Sequence, residues 1–290
     1  MNVDLRGKVA VVTGGSGALG SAMCRELAAS GAKVAILARG AEKAQSLVDE
    51  IIAQGQKAMA LSCDVVDVES VSRCAAQISA EFGPCDILVN AAGGNSPLAT
   101  TAKERLDKDD AERNLAGPRA GAEPAHSSTF FDLDPAGVRS VFDLNFMGTF
   151  IPTQAFSRQM LGRRGGSIIN IASMGSFAPM TKVPAYCAAK AAIVNLTEWL
   201  AVHFAPVGIR VNAIAPGFFL GEQNRRLLQG DDGALTARGV KIIEHTPAGR
   251  FGLPEDLVGT LLWLCDESAS RFVTGIVVPV DGGFNAYAGV

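Results

Sequence analysis

The stretch from Lys8 to Gly20, KVAVVTGGSGALG, decides the fold because it joins an apolar run directly to a glycine-rich turn. The valine-rich run Lys8–Thr13 is typical of a strand buried on both faces of a parallel sheet. Three glycines of the turn match the spacing G-x-G-x-x-G, and the following residues predict a helix over Ala18–Ser30. Such a turn lets a pyrophosphate approach the backbone and a helix N-terminus, so it predicts a dinucleotide site. A plain strand-to-helix turn is the alternative.

The rest of the chain repeats this alternation of short apolar runs and longer helical patterns. The other predicted strands are Lys33–Ala38, Lys57–Ser62, Asp86–Asn90, Ser167–Ala172, Ile209–Ile214 and Ile276–Val280. The other predicted helices are Ala41–Gln54, Val68–Phe82, Pro135 to about Leu161, Pro184–Phe204 and Pro254–Cys265. The pattern predicts an α/β fold, a doubly wound, seven-stranded parallel sheet in three αβα layers. We expect a single Rossmann domain over residues 1–290.

Two segments interrupt the alternation. Residues 94–133 carry mixed charges, prolines and glycines, and are too long for an ordinary connection. We therefore predict a functional loop or a disordered insertion there. Residues 215–250 have no clean period and follow the C-terminal end of the sixth strand, where ligands bind in such folds. This position predicts a lid over the substrate.

Composition narrows the class of protein. The 290 residues are 48% hydrophobic and 19% charged, which is enough apolar material for a sizeable core. The net charge of -3 and the absence of a basic run argue against a nucleic-acid partner. We find no apolar stretch long enough for a membrane span and no signal peptide, which predicts a soluble, cytoplasmic protein. The six cysteines and three histidines lack metal-ligand spacing, so we expect reduced, mostly buried thiols and no metal site.

The residue after the second strand discriminates between nicotinamide cofactors. An acidic residue at the end of this strand would bind the ribose hydroxyls and repel a 2′-phosphate. The sequence instead runs Leu37-Ala38-Arg39, and a guanidinium can pair with a phosphate through two hydrogen bonds. This favours NADP(H), although NAD(H) remains open if Arg39 is only a solvated loop residue. Asp64 could accept a bond from the adenine amino group or could cap a turn.

The catalytic prediction rests on the sequence YCAAK, in which Tyr186 and Lys190 lie one helical turn apart. The ordinary pKa of tyrosine is about 10, and a nearby ammonium is expected to lower it. Tyr186 would then exchange a proton with a carbonyl or hydroxyl oxygen. Ser173, after the fifth strand, could stabilise that oxygen or could be a turn serine. Asn145, inside a predicted helix, could serve a proton relay or could be a buried amide.

Taken together, these residues resemble the short-chain dehydrogenase/reductase family. The matching pieces are the Thr13–Gly20 turn, Asp64, Asn90–Gly93, Asn145, Ser173, Tyr186 with Lys190, and Arg210–Gly217. The resemblance implies a NAD(P)-dependent oxidoreductase with catalytic Ser173, Tyr186, Lys190 and Asn145. It also implies that Lys190 holds the nicotinamide ribose and that the protein forms a homotetramer. The implied cofactor contacts are Gly14, Ser16, Gly17, Leu19, Arg39, Asp64, Val65, Asn90, Ala92, Gly93, Tyr186, Lys190, Pro216, Gly217 and Phe219.

Finer features resemble the sugar-acid branch of the family, the D-mannonate oxidoreductases (fructuronate reductases). They include the long insertion after the fourth strand and the sequence GFFLGEQNR at residues 217–225. Candidate substrate residues are Asn95, Lys182, Asn224 and Arg225, and we expect Lys182 or Arg225 to bind a carboxylate unless both are solvated. Departures from the family are Ala18 in the turn, where glycine is usual, and Gly221, where threonine often contacts the nicotinamide. Alternatives are a reductase of 5-keto-gluconate, a steroid or a 3-oxoacyl thioester, or a non-catalytic nicotinamide-binding protein.

Overall fold

The fold is one parallel sheet of seven strands, seen in a computed structural model that describes residues 3–115, 129–221, 225–230 and 232–289. The strand order is β3-β2-β1-β4-β5-β6-β7, and every neighbouring pair is parallel. The strands are β1 Val9–Thr13, β2 Lys33–Ala38, β3 Ala58–Ser62, β4 Ile87–Asn90, β5 Gly166–Ile171, β6 Ile209–Pro216 and β7 Val277–Val280. The order reverses between β1 and β4, so this is a Rossmann-like doubly wound sheet, as predicted.

Helices cover both faces of the sheet. They are α1 Ala18–Ala29, α2 Ala41–Ala53, α3 Val68–Glu81, α4 Lys108–Leu115, α5 Pro135–Phe142, α6 Gly148–Met160, α7 Pro184–Phe204, α8 Arg225–Leu228, α9 Ala237–Glu244, α10 Val258–Cys265 and α11 Glu267–Ser270. Most boundaries agree with the predicted ones to within one or two residues. The helix predicted from Pro135 is divided by a π-helical turn at Asp143–Met147, and α10 is preceded by a 3₁₀ turn at Pro254–Leu257.

Successive strand residues pack into two different cores. Val12 and Ile36 lie on the face covered by α1 and α10, whereas Val11 and Leu37 lie on the face covered by α3 and α6. All four side chains are fully buried, as expected when side chains alternate across a sheet that is covered on both sides. This explains why the strands read as continuous apolar runs. The six cysteines are likewise buried and unpaired.

The described residues of the two interrupting segments contain more regular elements than their sequence indicated. The first contains α4 and 3₁₀ turns at Pro97–Ala99 and Phe130–Asp132, while residues 116–128 lie outside the described part of the chain. The second contains α8 and α9, and the Thr236 side chain caps α9 by accepting a bond from Gly239 N at 3.1 Å. Residues 215–250 therefore hold regular elements although their sequence shows no clean period. One or two helical turns are too short to give a recognisable period.

No helix within the described ranges combines the length and apolar character needed to cross a membrane. The same ranges contain no cluster of three His, Cys, Asp or Glu side chains that could hold a metal ion.

The tight approach of α1 to the turn that precedes it can be tested at Gly20. A Cβ placed there would lie 2.8 Å from Gly15 Cα and closer still to the Gly14 carbonyl oxygen. We expect Gly20→Ala to lower the free energy of unfolding by about 1–3 kcal/mol, because neither backbone atom can yield cheaply. Urea denaturation would measure the change.

Gly259→Ala in α10 is the matched control, since a Cβ at Gly259 meets nothing within 4 Å. This variant should gain up to about 1 kcal/mol from the better helix propensity of alanine. A Gly20→Ala protein as stable as the Gly259→Ala protein would contradict the predicted crowding.

Candidate active site

The turn after β1 forms one wall of the cleft at the switch point. Gly14 has a φ of +65°, and its carbonyl oxygen accepts a bond from Gly17 N at 3.0 Å. Gly17 is the N-cap of α1, and no side chain from the described residues caps this helix. The first backbone N–H groups of a helix have no partner within it, and the dipole there favours negative charge. The turn, with half-buried Ser16 and Leu19 beside it, therefore fits the phosphates of a dinucleotide.

The opposite wall follows β4. Ala91 N and Ala92 N both donate to the Thr13 hydroxyl at 3.1 Å, which ties the two walls together. A Cβ on Gly14 would lie 2.8 Å from Ala92 Cα, so only glycine allows this approach. Sequence reasoning did not single out Thr13 as the link, although a threonine directly before the glycines was visible in the motif.

The Asn90 side chain lies in the core at the end of β4. Its side chain is 1% exposed and donates to Thr153 Oγ1 at 3.0 Å and to Asn170 Oδ1 at 2.9 Å. Asn170 in turn accepts this bond while donating to Thr197 at 2.9 Å, so a buried polar chain joins β4, β5, α6 and α7. The Asn90 side chain therefore links the strand to its neighbours, and contact of Asn90 with the cofactor stays a prediction.

The residues predicted for the adenosine end lie after β2 and β3, which are neighbours in the sheet. Arg39 is exposed, and its carbonyl oxygen accepts a bond from Ser62 Oγ at 3.2 Å. Asp64 is also exposed, and its Oδ1 caps a turn by accepting from Val66 N at 3.1 Å. Val65 is buried, and a Cβ on Gly148 would lie 2.9 Å from its methyl group. This bond supports the alternative prediction that Asp64 caps a turn. It is also compatible with Asp64 accepting a bond from the adenine amino group.

Ser173, Tyr186 and Lys190 come together where β5 ends. Ser173 accepts a bond from Gly175 N at 3.1 Å, and its hydroxyl also bonds the Tyr186 side chain. Tyr186 lies in the first turn of α7, and the Lys190 ammonium lies 5.8 Å from the centre of its ring. Lys190 Nζ donates to the Ile171 carbonyl oxygen at 2.7 Å. The sheet thus positions all three side chains at one point.

Asn145 holds the start of the insertion against this group. Its Nδ2 donates to Gly94 O at 2.7 Å and to Val141 O at 2.8 Å, and its Oδ1 accepts from Gly94 N at 3.3 Å. A Cβ on Gly93 would lie 2.8 Å from Asn145 Oδ1 and 3.2 Å from Lys190 Nζ. Gly93 therefore lies between two of the predicted catalytic side chains. The π turn that carries Asn145 was missed by sequence reasoning, and such turns are frequent at functional sites.

Burial controls the charge state of the tyrosine and the lysine. Desolvation raises the pKa of Tyr186 above its ordinary value, and the hydrogen bond from Ser173 opposes that rise. Desolvation also lowers the pKa of Lys190 to about 8. Lys190 is not among the groups that lower the pKa of Tyr186 here, and the expectation that this ammonium and a bound nicotinium together lower it stays a prediction. The ammonium is directed at a backbone carbonyl, and its own burial disfavours the charge that would stabilise a phenolate.

The residues predicted to line the nicotinamide side follow β6. Pro216 ends the strand in the core, and Gly217 N donates to Val280 O at 2.9 Å, which fixes the exit of the chain from the sheet. The Phe219 side chain is buried against Gly252, where a Cβ would lie 2.6 Å from its ring. Phe219 can therefore contribute its backbone to a cofactor site, while its ring packs elsewhere.

The predicted substrate residues are dispersed. Lys182 is half-buried in the loop before α7 and has a φ of +73°. Asn95 is exposed and donates to Thr100 Oγ1 at 2.8 Å within the insertion. Arg225 is exposed at the start of α8, and Asn224 lies outside the described residues. Of the four, Lys182 lies nearest in sequence to Tyr186, the proposed proton donor.

Comparison with known proteins identifies the family. The family model for the short chain dehydrogenases matches residues 8–231. The chain belongs to the short-chain dehydrogenase family and is a nicotinamide-dependent oxidoreductase.

Three relatives are similar over nearly their whole length. An uncharacterized oxidoreductase of Bacillus subtilis, UxuB, is 53% identical over 290 residues, which cover 100% of this chain and 99% of the relative. A Haemophilus influenzae protein, provisionally named D-mannonate oxidoreductase and crystallised with NAD, is 47% identical with a TM-score of 0.91, covering 100% and 99% of the two chains. A gluconate 5-dehydrogenase of Burkholderia cenocepacia, crystallised with NADP and tartrate, is 30% identical with a TM-score of 0.79 and 98% coverage of both chains.

The lowered pKa of Lys190 predicts a pH-dependent stability in the absence of added nucleotide. Between about pH 8 and 10.5 the unfolded chain holds a proton on Lys190 that the folded chain has lost. Unfolding then takes up a proton, so the free energy of unfolding rises with pH in this window. Relative to Lys190→Met, the parent should gain on the order of 3 kcal/mol between pH 7 and 10. Urea titrations of both proteins at the two pH values would measure this gain, and a constant difference would contradict it.

Proposed function

We propose that the protein interconverts a secondary alcohol and a ketone on a sugar acid of the D-mannonate/D-fructuronate type, with Tyr186 as the proton donor and acceptor. The observation that carries this proposal is the hydrogen bond between Ser173 and half-buried Tyr186, with the Lys190 ammonium 5.8 Å from the tyrosine ring. A hydroxyl pair of this kind can hold one substrate oxygen between two donors. The nicotinamide cofactor supplies or accepts the hydride.

The proposed roles follow from the position of each side chain. Tyr186 donates its proton to the carbonyl oxygen during reduction and recovers it during alcohol oxidation. Ser173 donates a hydrogen bond that stabilises the negative charge developing on the same oxygen. Lys190, held by the Ile171 carbonyl, is placed to hold the nicotinamide ribose and to return a proton to Tyr186. Asn145 fixes Gly93 and Gly94 against this group and is proposed to join the relay.

Similarity to two sugar-acid proteins supports the substrate class. The Haemophilus influenzae protein carries a D-mannonate oxidoreductase name, and the Burkholderia cenocepacia protein is a gluconate 5-dehydrogenase. Lys182 is the candidate cation for the substrate carboxylate, since it is half-buried, whereas Arg225 is exposed. The homotetramer, the single domain and the cytoplasmic location stay predictions.

Replacing Tyr186 by phenylalanine tests the proposed chemistry. Tyr186→Phe should lower kcat for D-mannonate oxidation by about 10²–10⁴-fold, because the proton has no other donor at this position. The dissociation constant for NADP(H) should change little, since the ring and its packing remain. Steady-state kinetics with both cofactors, run against a panel that includes 5-keto-gluconate, would measure the effect.

The control is Tyr287→Phe, because the chain has two tyrosines and Tyr287 is 44% exposed near the C-terminus. Turnover in this variant should equal that of the parent. Unchanged turnover in Tyr186→Phe would remove the proposal.

We propose NADP(H) as the preferred cofactor on the strength of Arg39. It comes one place after the end of β2, where an acidic residue would repel a 2′-phosphate, and no carboxylate from the described residues pairs with it. The solved relatives include one with NAD and one with NADP, so both cofactors occur among proteins similar to this one.

Arg39→Gln should raise the KM for NADPH about tenfold or more, because a charge-assisted hydrogen bond to the phosphate is lost. The KM for NADH should be unchanged in the same variant, which makes NADH the internal control. Equal effects, or no effect, on the two cofactors would show that Arg39 does not read the phosphate.

A further inference from the structure

One ion pair joins the two segments that interrupt the βα alternation. Glu104, in the insertion before α4, accepts a hydrogen bond from Lys241 Nζ of α9 at 2.6 Å. The two residues are 137 positions apart in sequence. Their side chains remain 38% and 56% exposed, and ion pairs with such exposure contribute little to stability. This contact can therefore open without a large cost to the fold.

Two further cations lie near enough to the same carboxylate to lower its pKa. The pKa of Glu104 lies below its ordinary value, first because of the Lys241 hydrogen bond and then because of the charges of Lys241, Lys182 and Arg238. Arg238 and Lys241 are three residues apart in α9 and so share one face of the helix. Within the described ranges, neither Lys182 nor Arg238 has an ion-pair partner of its own. Three cations against one carboxylate leave a net charge of about +2.

The cluster lies close to the proposed proton donor along the chain. Lys182 precedes Tyr186 by four residues, which limits the separation of their Cα atoms to about 15 Å. Its φ of +73° is uncommon for a lysine, and its carbonyl oxygen accepts a bond from Thr101 N at 2.9 Å. The insertion thus contacts the loop of Lys182 through Thr101, and it contacts α9 through Glu104. Uncommon backbone conformations of this kind concentrate at ligand sites.

We propose that Lys182, Arg238 and Lys241 form a binding site for the substrate carboxylate at the mouth of the cleft, and that Glu104 is the internal carboxylate that the substrate displaces. This inference rests on the proposed sugar-acid function and names the residues that select the acid. The exposed ion pair exchanges one carboxylate partner for another, while the unpaired guanidinium supplies planar donors that match a carboxylate. A neutral sugar brings no charge to exchange, so the cluster discriminates against it.

Direct binding separates this site from catalysis. We would titrate D-tartrate, and erythritol as its uncharged four-carbon counterpart, into the protein saturated with NADPH, using isothermal calorimetry. The dissociation constant for tartrate should rise about tenfold in Lys182→Met and Arg238→Met, because each removes one charged donor. Glu104→Gln should bind tartrate several-fold more tightly, because the internal competitor is neutralised. A gain of affinity in this variant cannot arise from misfolding.

Lys57→Met is the control, because Lys57 is exposed at the opposite edge of the sheet. Its affinity for tartrate should equal that of the parent, and erythritol should respond to none of the substitutions. Steady-state kinetics on D-mannonate should show the same order in KM, with kcat nearly constant. Tartrate affinities that are equal in the parent, Lys182→Met, Arg238→Met and Glu104→Gln would overturn the anion site.

The outcome also separates this inference from the proposed function. If D-mannonate and the related acids are not turned over but tartrate binding follows the predicted order, the anion site stands and the sugar-acid activity fails. If the acids are turned over with an unchanged KM in all three variants, the activity stands and the anion site fails.

Discussion

The placement of half-buried Tyr186 beside buried Lys190 is the constraint on which the site depends. Lys190 is 4% exposed, and its ammonium is fixed by the Ile171 carbonyl at the end of β5. Burial disfavours the charged form of both groups, raising the pKa of the phenol and lowering that of the amine. A lysine with a pKa of about 8 is close to isoenergetic in its two forms near neutral pH, which suits it to passing protons. The sheet therefore sets both the positions and the proton affinities of the pair.

The π turn at Asp143–Met147 extends this arrangement to the neighbouring strand. It leaves Asn145 fully buried, with its amide on both backbone groups of Gly94. Gly94 is the first residue of the insertion, so the insertion starts directly on a proposed catalytic side chain. If this region were a regular α-helix, the residues after the turn would be rotated about the helix axis from the positions that they have here. The irregular turn thus links the geometry of the proton-transfer group to the point where the inserted segment leaves the sheet.

The sequence predicted those elements whose bounds depend on neighbouring residues. The strand Lys33–Ala38 and the helix Pro184–Phe204 have the predicted bounds, because an apolar run and an N-terminal proline mark them unambiguously. The sequence could not predict features that depend on distant parts of the chain. The Asn90 side chain bonds Thr153 and Asn170, and the pKa of Tyr186 is raised by desolvation that no spacing reveals.

Two of the proposed proton-transfer residues are buried, whereas the ion pair at the proposed carboxylate-binding site is exposed, so the two proposed functions lie in different parts of the fold. Lys190 and Asn145 are fixed inside the protein, where moving a group costs several hydrogen bonds, so the reacting centre is held rigid. Glu104 and Lys241 lie on segments inserted between the regular elements and remain largely in water. In water an ion pair is weak, and exchange for another carboxylate costs little. The proposed proton-transfer group at the strand ends is therefore held rigidly, because it lies in the protein interior. The proposed carboxylate-binding charges at the cleft mouth can exchange partners, because their ion pair lies largely in water.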